Sequence, residues 1–287
     1  MTGTIKDEFF ARMDLLSPAE KKVARALLAD YPSAGLKSAA SLAKTAGTST
    51  PTVLRLLSRL DIGTYPEFQE RLRQELSGRG NSPVSRAEKS ISSTPETALD
   101  RSLIARSEVV RTVLETVPPG EFDAAVKTIA ASERIVISGG YFSRYIARIL
   151  GLQLDQLQGG VTVAEEPLGR DAALYFGLDR NATAIVFDMR RYETTARKIV
   201  TLAKNRGARV LLITDEELSP AAEDADIVLP VRVDAAPFDT FVAVLALTES
   251  LVDATFRTIG EPALQRMREW EESVQISRTV RQEQASS

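Results

Sequence analysis

The chain has 287 residues, 44% of them hydrophobic, a formal net charge of −3, and neither cysteine nor histidine. That length suits two domains with real cores, and the small negative charge argues against general coating of nucleic acid by the whole molecule. Without cysteine there is no disulfide, thiolate nucleophile or thiolate metal site; without histidine the commonest general base and metal ligand are gone, so any metal would need oxygen ligands.

Taken in order, Met1 to Glu8 shows no basic region followed by an apolar run, and no later stretch approaches the ~20 apolar residues of a membrane span. A soluble cytoplasmic protein is expected, with no membrane contact, and nothing in the residues calls for a cofactor. Residues 5–30 read as helical from Phe9, Met13, Leu16, Val23, Ala24, Leu27 and Leu28. Leu16-Ser17-Pro18-Ala19-Glu20 is a start signal. Ser17 is the N-cap, Pro18 opens the helix, and Glu20 completes a capping box, so one helix should run from about Pro18 to Asp30. Tyr31-Pro32 ends it.

Ser38 to Leu60 reads as two short helices around a tight turn. Small residues fill the first, Gly47 tolerates a positive φ at its end, and Ser49 and Pro51 suit the start of the second. Val53, Leu56, Leu57 and Leu60 give that second helix an apolar face, while Thr52, Arg55 and Arg59 fall on one polar stripe. A helix-turn-helix needs this arrangement, with its second helix entering the major groove. An ordinary surface helix would show the same stripe. Residues 1–80 carry 12 Lys+Arg against 9 Asp+Glu, and the rest carries 24 against 30, so a mildly basic head precedes an acidic body. The turn Asp61 to Phe68 leads into one more amphipathic helix, to Leu76.

The run Leu16 to Leu76 resembles the N-terminal domain of the RpiR/MurR family of bacterial transcription regulators. The resemblance rests on Leu16-Ser17-Pro18-Ala19-Glu20, Ser41-Leu42-Ala43, Ser49, Thr52-Val53, Arg55 and Tyr65-Pro66-Glu67-Phe68. The family usually has glycines where this chain has Asp61 and Thr64. The resemblance implies a helix-turn-helix that binds double-stranded operator DNA as part of a homodimer or homotetramer. Lys44, Ser49, Thr50, Thr52, Arg55 and Arg59 are the candidate DNA contacts, since hydroxyls and arginines meet phosphates and base edges.

Residues 78–97 read as a linker rich in Gly, Ser and Pro. Helical spacing returns through Leu99, Leu103, Val110, Val113 and Leu114, and again from Phe122 to Ala131. Strands then alternate with helices. Residues 134–138, 161–163, 182–187 and 209–214 are strand candidates, and a fifth lies within 225–231. The helices between and after them span about 142–157, 193–205, 239–258 and 262–280. This pattern predicts a parallel sheet covered on both faces, with ligands at the carboxyl ends of its strands.

Two loops there could hold a ligand. The first offers Ser138, Gly139, Gly140, Ser143 and Arg144 at a helix start that favours an anion, or it is a plain strand-to-helix turn. The second offers Arg190, Arg191, Tyr192 and Thr194, where paired arginines suit a phosphate or carboxylate, or are two surface charges. Residues from about Glu108 to Val252 resemble the SIS (sugar isomerase) domain, on the segments Ile135 to Ala147, Asp215 to Leu229 and Phe238-Asp239-Thr240. The resemblance implies a five-stranded parallel sheet that dimerises and binds phosphosugars through loop hydroxyls. The first loop usually reads Gly-x-Gly-x-Ser, and Tyr141 replaces its second glycine. The second usually carries Ser-x-Ser-Gly-x-Thr, where Arg190-Arg191-Tyr192 stands here.

The expected architecture is therefore an N-terminal all-α helix-turn-helix domain (1–77), the linker (78–97), and a doubly wound α/β SIS domain of five parallel strands (98–287). The expected function is that of a non-enzymatic regulator sensing a small anionic effector: a sugar phosphate, sugar acid or other carboxylate. Two alternatives stay open. One is a phosphosugar isomerase or lyase, whose base would be Glu193, Glu165 or Glu166. The other is a ligand-free oligomerisation module on a DNA-binding head.

Overall fold

The structure is a computed structural model, and it describes residues 5–77, 97–190, 192–235 and 238–285. The head begins with α1 (Ile5–Ala11), a 3-10 turn (Met13–Leu15) and α2 (Pro18–Ala29). The capping box forms as expected: Ser17 Oγ accepts from the Glu20 N–H, and Glu20 Oε2 accepts from the Ser17 N–H at 2.8 Å. Then come α3 (Ser33–Leu36), α4 (Ala39–Thr45), α5 (Thr50–Arg59) and α6 (Tyr65–Ser77). Gly47 turns the chain between α4 and α5 at φ +59°. Val53, Leu56, Leu57 and Leu60 are each at most 2% exposed. Burial of such side chains contributes about 1.5–3 kcal/mol apiece, and this face fixes α5 against α2 and α4. Asp61 adopts φ 57°, the left-handed conformation that a glycine at this place would favour, and Arg12 Nη1 donates to the neighbouring Leu60 carbonyl at 2.8 Å. The turn after α5 thus keeps a glycine-like backbone without the glycine.

The predicted linker lies outside the described residues except for Thr97, whose hydroxyl caps the helix Ala98–Arg111 by accepting from the Asp100 N–H. The five expected strands are present: β1 (Arg134–Gly139), β2 (Val161–Val163), β3 (Ala182–Asp188), β4 (Arg209–Asp215) and β5 (Ile227–Val231). They pair in parallel in the order β2-β1-β3-β4-β5. Alternate residues face opposite sides. Val136, Ala184, Val186, Val210 and Leu212 pack with the helix Thr194–Asn205 in a core continuous with the head. Ile135, Ile137, Ile185, Phe187 and Leu211 pack on the other side with Leu150, Leu154, Leu247 and Leu251. The order reverses between β1 and β3, which opens a crevice at their carboxyl ends.

Head and sheet meet at a buried ionic seam. Arg25 on α2 is 7% exposed and Glu121 of the helix Pro119–Ala131 is 5% exposed. Arg25 Nη2 donates to Glu121 Oε2 at 2.8 Å, and Nη1 donates to the Ala225 carbonyl at 2.9 Å. Glu121 also accepts from Lys21 Nζ at 2.7 Å and from the Val228 N–H of the edge strand β5 at 3.0 Å. Burial works against the Arg25 charge, and Glu121 and Asp226 sustain it. Removing one member of such a set leaves a desolvated charge behind. Glu121→Ala should therefore lower unfolding free energy by about 3–5 kcal/mol in urea denaturation. Arg257→Ala, at an exposed pair with Asp253, should leave the midpoint unchanged. Equal effects from the two substitutions would contradict the seam's role.

Candidate functional site

The first candidate surface is the outer side of α4 and α5. Residues 38–60 contain Lys44, Arg55 and Arg59 and no acidic residue. Lys44, Ser49, Arg55 and Arg59 are exposed and Thr50 is half-buried, with the body of the chain in place. Thr52 departs from the expectation of a direct contact. It is 5% exposed, and its Oγ1 is shared with Ser49 Oγ at 3.0 Å and Arg55 Nη2 at 3.1 Å. It lies on the edge of the apolar face and holds Arg55 from beneath. Ser49 has the extended backbone of an N-cap, but its hydroxyl goes to Thr52 instead of a helix N–H. Arg59 Nε donates to the buried Glu20 at 3.2 Å, which leaves Arg55 the less encumbered of the two arginines.

The second candidate is a cavity of about 190 Å³ in the crevice between β1 and β3. Ser138, Gly139, Gly140 and Arg144 line it, as the sequence led one to expect. Gly139 is required by close approach, because a Cβ there would sit 2.6 Å from the Arg144 backbone nitrogen. Ser143 is a correction. Its hydroxyl accepts from the Gly140 N–H at 2.9 Å and donates to the Phe187 carbonyl at 3.2 Å, so it stitches the first loop to β3 and is spent.

The second loop is arranged differently from expectation. Arg190 does not line the cavity: its guanidinium lies 2.7 Å from Asp234, 3.2 Å from Asp239 and 3.4 Å from Glu217. Burial opposes the Arg190 charge, and these three carboxylates more than offset it. The Tyr192 hydroxyl donates to Asp215 Oδ1 at 2.7 Å, and burial followed by that carboxylate pushes its ionisation upward. Thr194 is outside the cavity wall, where its neighbour Thr195 takes the place. Arg191 lies outside the described residues.

What the cavity does contain is acid. Among the described residues, Glu165, Asp188 and Glu193 line it together with Arg144, and Arg144 rests 5.4 Å and 5.2 Å from the ring centres of Tyr141 and Tyr145. Asp188 was not singled out from the sequence. The available signal was a carboxylate ending a strand whose only other polar side chain is Thr183. Asp188 is 2% exposed; its Oδ2 accepts from the Ser219 hydroxyl and Oδ1 from the Glu193 N–H. Burial, with Glu193 and Asp215 nearby, pushes its carboxyl up to about 6. The folded chain therefore holds this proton more tightly than the unfolded chain. Stability from this group is full near pH 4 and is lost as pH rises through about 6, by roughly 2–3 kcal/mol. Asp188→Asn should lack that loss. Its stability relative to wild type should improve between pH 4 and pH 7 in denaturant titrations, and a pH-independent difference would contradict the assignment.

Known proteins agree with this architecture. A family model described as the helix-turn-helix domain of the rpiR family matches residues 9–79, and a SIS domain model matches residues 128–254. Among solved structures, the chain is similar to the sugar isomerase domain of an RpiR transcription factor from Sphaerobacter thermophilus. That match has 24% identity and a TM-score of 0.58, and covers 62% of this chain and 99% of that one. It is also similar to Vibrio vulnificus NanR complexed with ManNAc-6P, with 18% identity, a TM-score of 0.55, and coverage of 94% and 97%. Both likenesses establish fold. Comparison with curated protein sequences gave no match. The chain joins an rpiR-type helix-turn-helix to a SIS domain, and by that pairing it belongs to the RpiR/MurR family.

Proposed function

We propose that this protein is a ligand-responsive, DNA-binding transcription regulator and not an enzyme. The observation that carries the reading is the surface of α4 and α5, whose residues 38–60 include no acid and which keeps Lys44 and Arg55 open while α2 is docked on the sheet domain. Arg55 reads the duplex, with Thr52 fixing its side chain; Lys44, Ser49 and Thr50 meet phosphates. Reading DNA places the protein in the cytoplasm. No helix among the described residues is long and apolar enough to cross a membrane.

The working unit is a homodimer or a homotetramer of dimers. Leu99, Leu103, Ile104 and Leu114 are each more than half exposed on adjoining helices, an apolar patch that a second copy would cover. The effector enters the cavity between β1 and β3 and biases one arrangement of the two heads. NanR was solved with ManNAc-6P, a phosphosugar. The expected anion held by Arg190 and Arg191 is not part of this proposal, because three carboxylates already neutralise Arg190.

Genomic footprinting of the purified protein tests the reading. Discrete sites with two half-sites about one helical turn apart are expected. On such a site Arg55→Ala should weaken binding by about 1–3 kcal/mol and relax selectivity at the base pair it reads, with the fold unchanged by circular dichroism. Absence of any sequence-selective footprint would overturn the proposal.

A further inference from the structure

Resting on the reading of α5 as the helix that meets DNA, we propose that Glu20 sets the affinity for duplex by holding the charge of Arg59 back from a phosphate, so that Arg59 is a latent backbone contact. Arg59 is the last residue of α5. From Thr50 to Arg59 the helix axis advances about 13 Å, which matches the ~12 Å width of the major groove. A recognition helix that points its N-terminus at the bases therefore brings residue 59 to the phosphate rim.

The guanidinium is half committed. Its Nε donates to Glu20 Oε1 at 3.2 Å, yet the side chain is 51% exposed, and neither Nη has a hydrogen-bond partner among the described residues. The acid is the buried member, with its side chain 2% exposed. Its other oxygen, Oε2, is occupied by the Ser17 N–H of the capping box. Among the described residues Arg59 is the one cation paired with Glu20. Burial raises the Glu20 carboxyl, but the Ser17 hydrogen bonds and Arg59 outweigh it, so the group titrates below its ordinary value and is charged at neutral pH. A buried charge with a single partner holds that partner firmly. The exposed pair of Arg257 and Asp253 has no such hold, because both its members keep their water.

A phosphate approaching Arg59 thus meets a cation already matched, with a carboxylate directly behind it. Arg55 differs. Its Nη2 is held by the Thr52 hydroxyl, a neutral group, so its full charge faces outward. Glu20 therefore weakens one of the two arginines of α5 and leaves the other untouched. It does so from α2, the helix whose Arg25 seats the head on the sheet domain. The charge of the DNA-facing surface and the seating of the head are tied to one rigid element.

Fluorescence anisotropy of the full chain on a footprinted duplex, titrated with salt, tests this. Glu20→Gln should bind about fivefold to tenfold more tightly at about 0.1 M salt, and the plot of log affinity against log salt should steepen by about 0.9, the slope of one added phosphate contact. Glutamine is itself a capping-box residue, so α2 should keep its start. Glu20→Ala serves as a second variant should the first unfold, with thermal melts confirming that each is folded. Combining Glu20→Gln with Arg59→Gln should restore the wild-type slope, which a mere change in stability would not do. Glu249→Gln, at an exposed position on the helix Val242–Ile259, removes the same charge from the body and should leave the slope unchanged. An unchanged or shallower slope in the folded Glu20 variants, or a steeper slope that survives the loss of Arg59, would overturn the proposal. Wild-type footprints with an unchanged slope in Glu20→Gln remove the role of Glu20 alone. Absence of a selective footprint in both wild type and variant removes the regulator reading, and this inference with it.

Discussion

The contact between Arg25 and Glu121 is the constraint from which the geometry of both candidate surfaces follows. It joins the second helix of the head to the helix before β1, and the same carboxylate holds the edge-strand N–H of Val228. A buried pair of this kind is a poor source of net stability, because desolvation offsets most of its attraction. It is a good source of position. Arg25 is matched by a carboxylate and a carbonyl in fixed places, so α2 has one seating on the sheet domain, and α4 and α5 are carried outward by it. Lys6 and Glu216 add a second ionic contact across the same seam at 3.6 Å.

The seam also touches the cavity through a short chain of contacts. Asp188, in the cavity wall, accepts from the Ser219 hydroxyl, and Ser219 Oγ accepts from the Ala221 N–H at the start of the 3-10 turn Pro220–Glu223. That turn packs against α2. A change in charge or hydrogen bonding at Asp188 therefore has a packed path of three steps to the helix that seats the head. The proposed regulation asks for a two-state element whose balance both sites bias, and this turn is placed to be one.

Much of the fold was readable because it is written locally. The capping box at Ser17, the turn at Gly47, the apolar face of α5 and the five strand runs are each set by residues a few positions apart, and each appears where expected. Asp61 kept the backbone of the turn, since a short polar side chain tolerates the left-handed conformation. The departures come from distance in sequence. Helical spacing put Thr52 on the stripe of Arg55 and Arg59, yet the rotation of the helix in its core set Thr52 below the surface. Arg190 looked available because its three partners, Glu217, Asp234 and Asp239, arrive from other loops. The seam joins residues 96 positions apart. The acidity of the cavity needed Asp188, Glu193 and Glu165 brought together by the sheet, which no single stretch displays.

The central claim is that α5 lies against a duplex while the sheet domain stays clear of it. The chain contains no cysteine, so one introduced thiol is a unique handle. A photocrosslinker on Ser58→Cys, an exposed position on α5, should join to footprinted duplex DNA in high yield, and one on Ser250→Cys, exposed on the helix Val242–Ile259 of the body, should not. Equal yields from the two positions, or a higher yield from the body, would contradict the account.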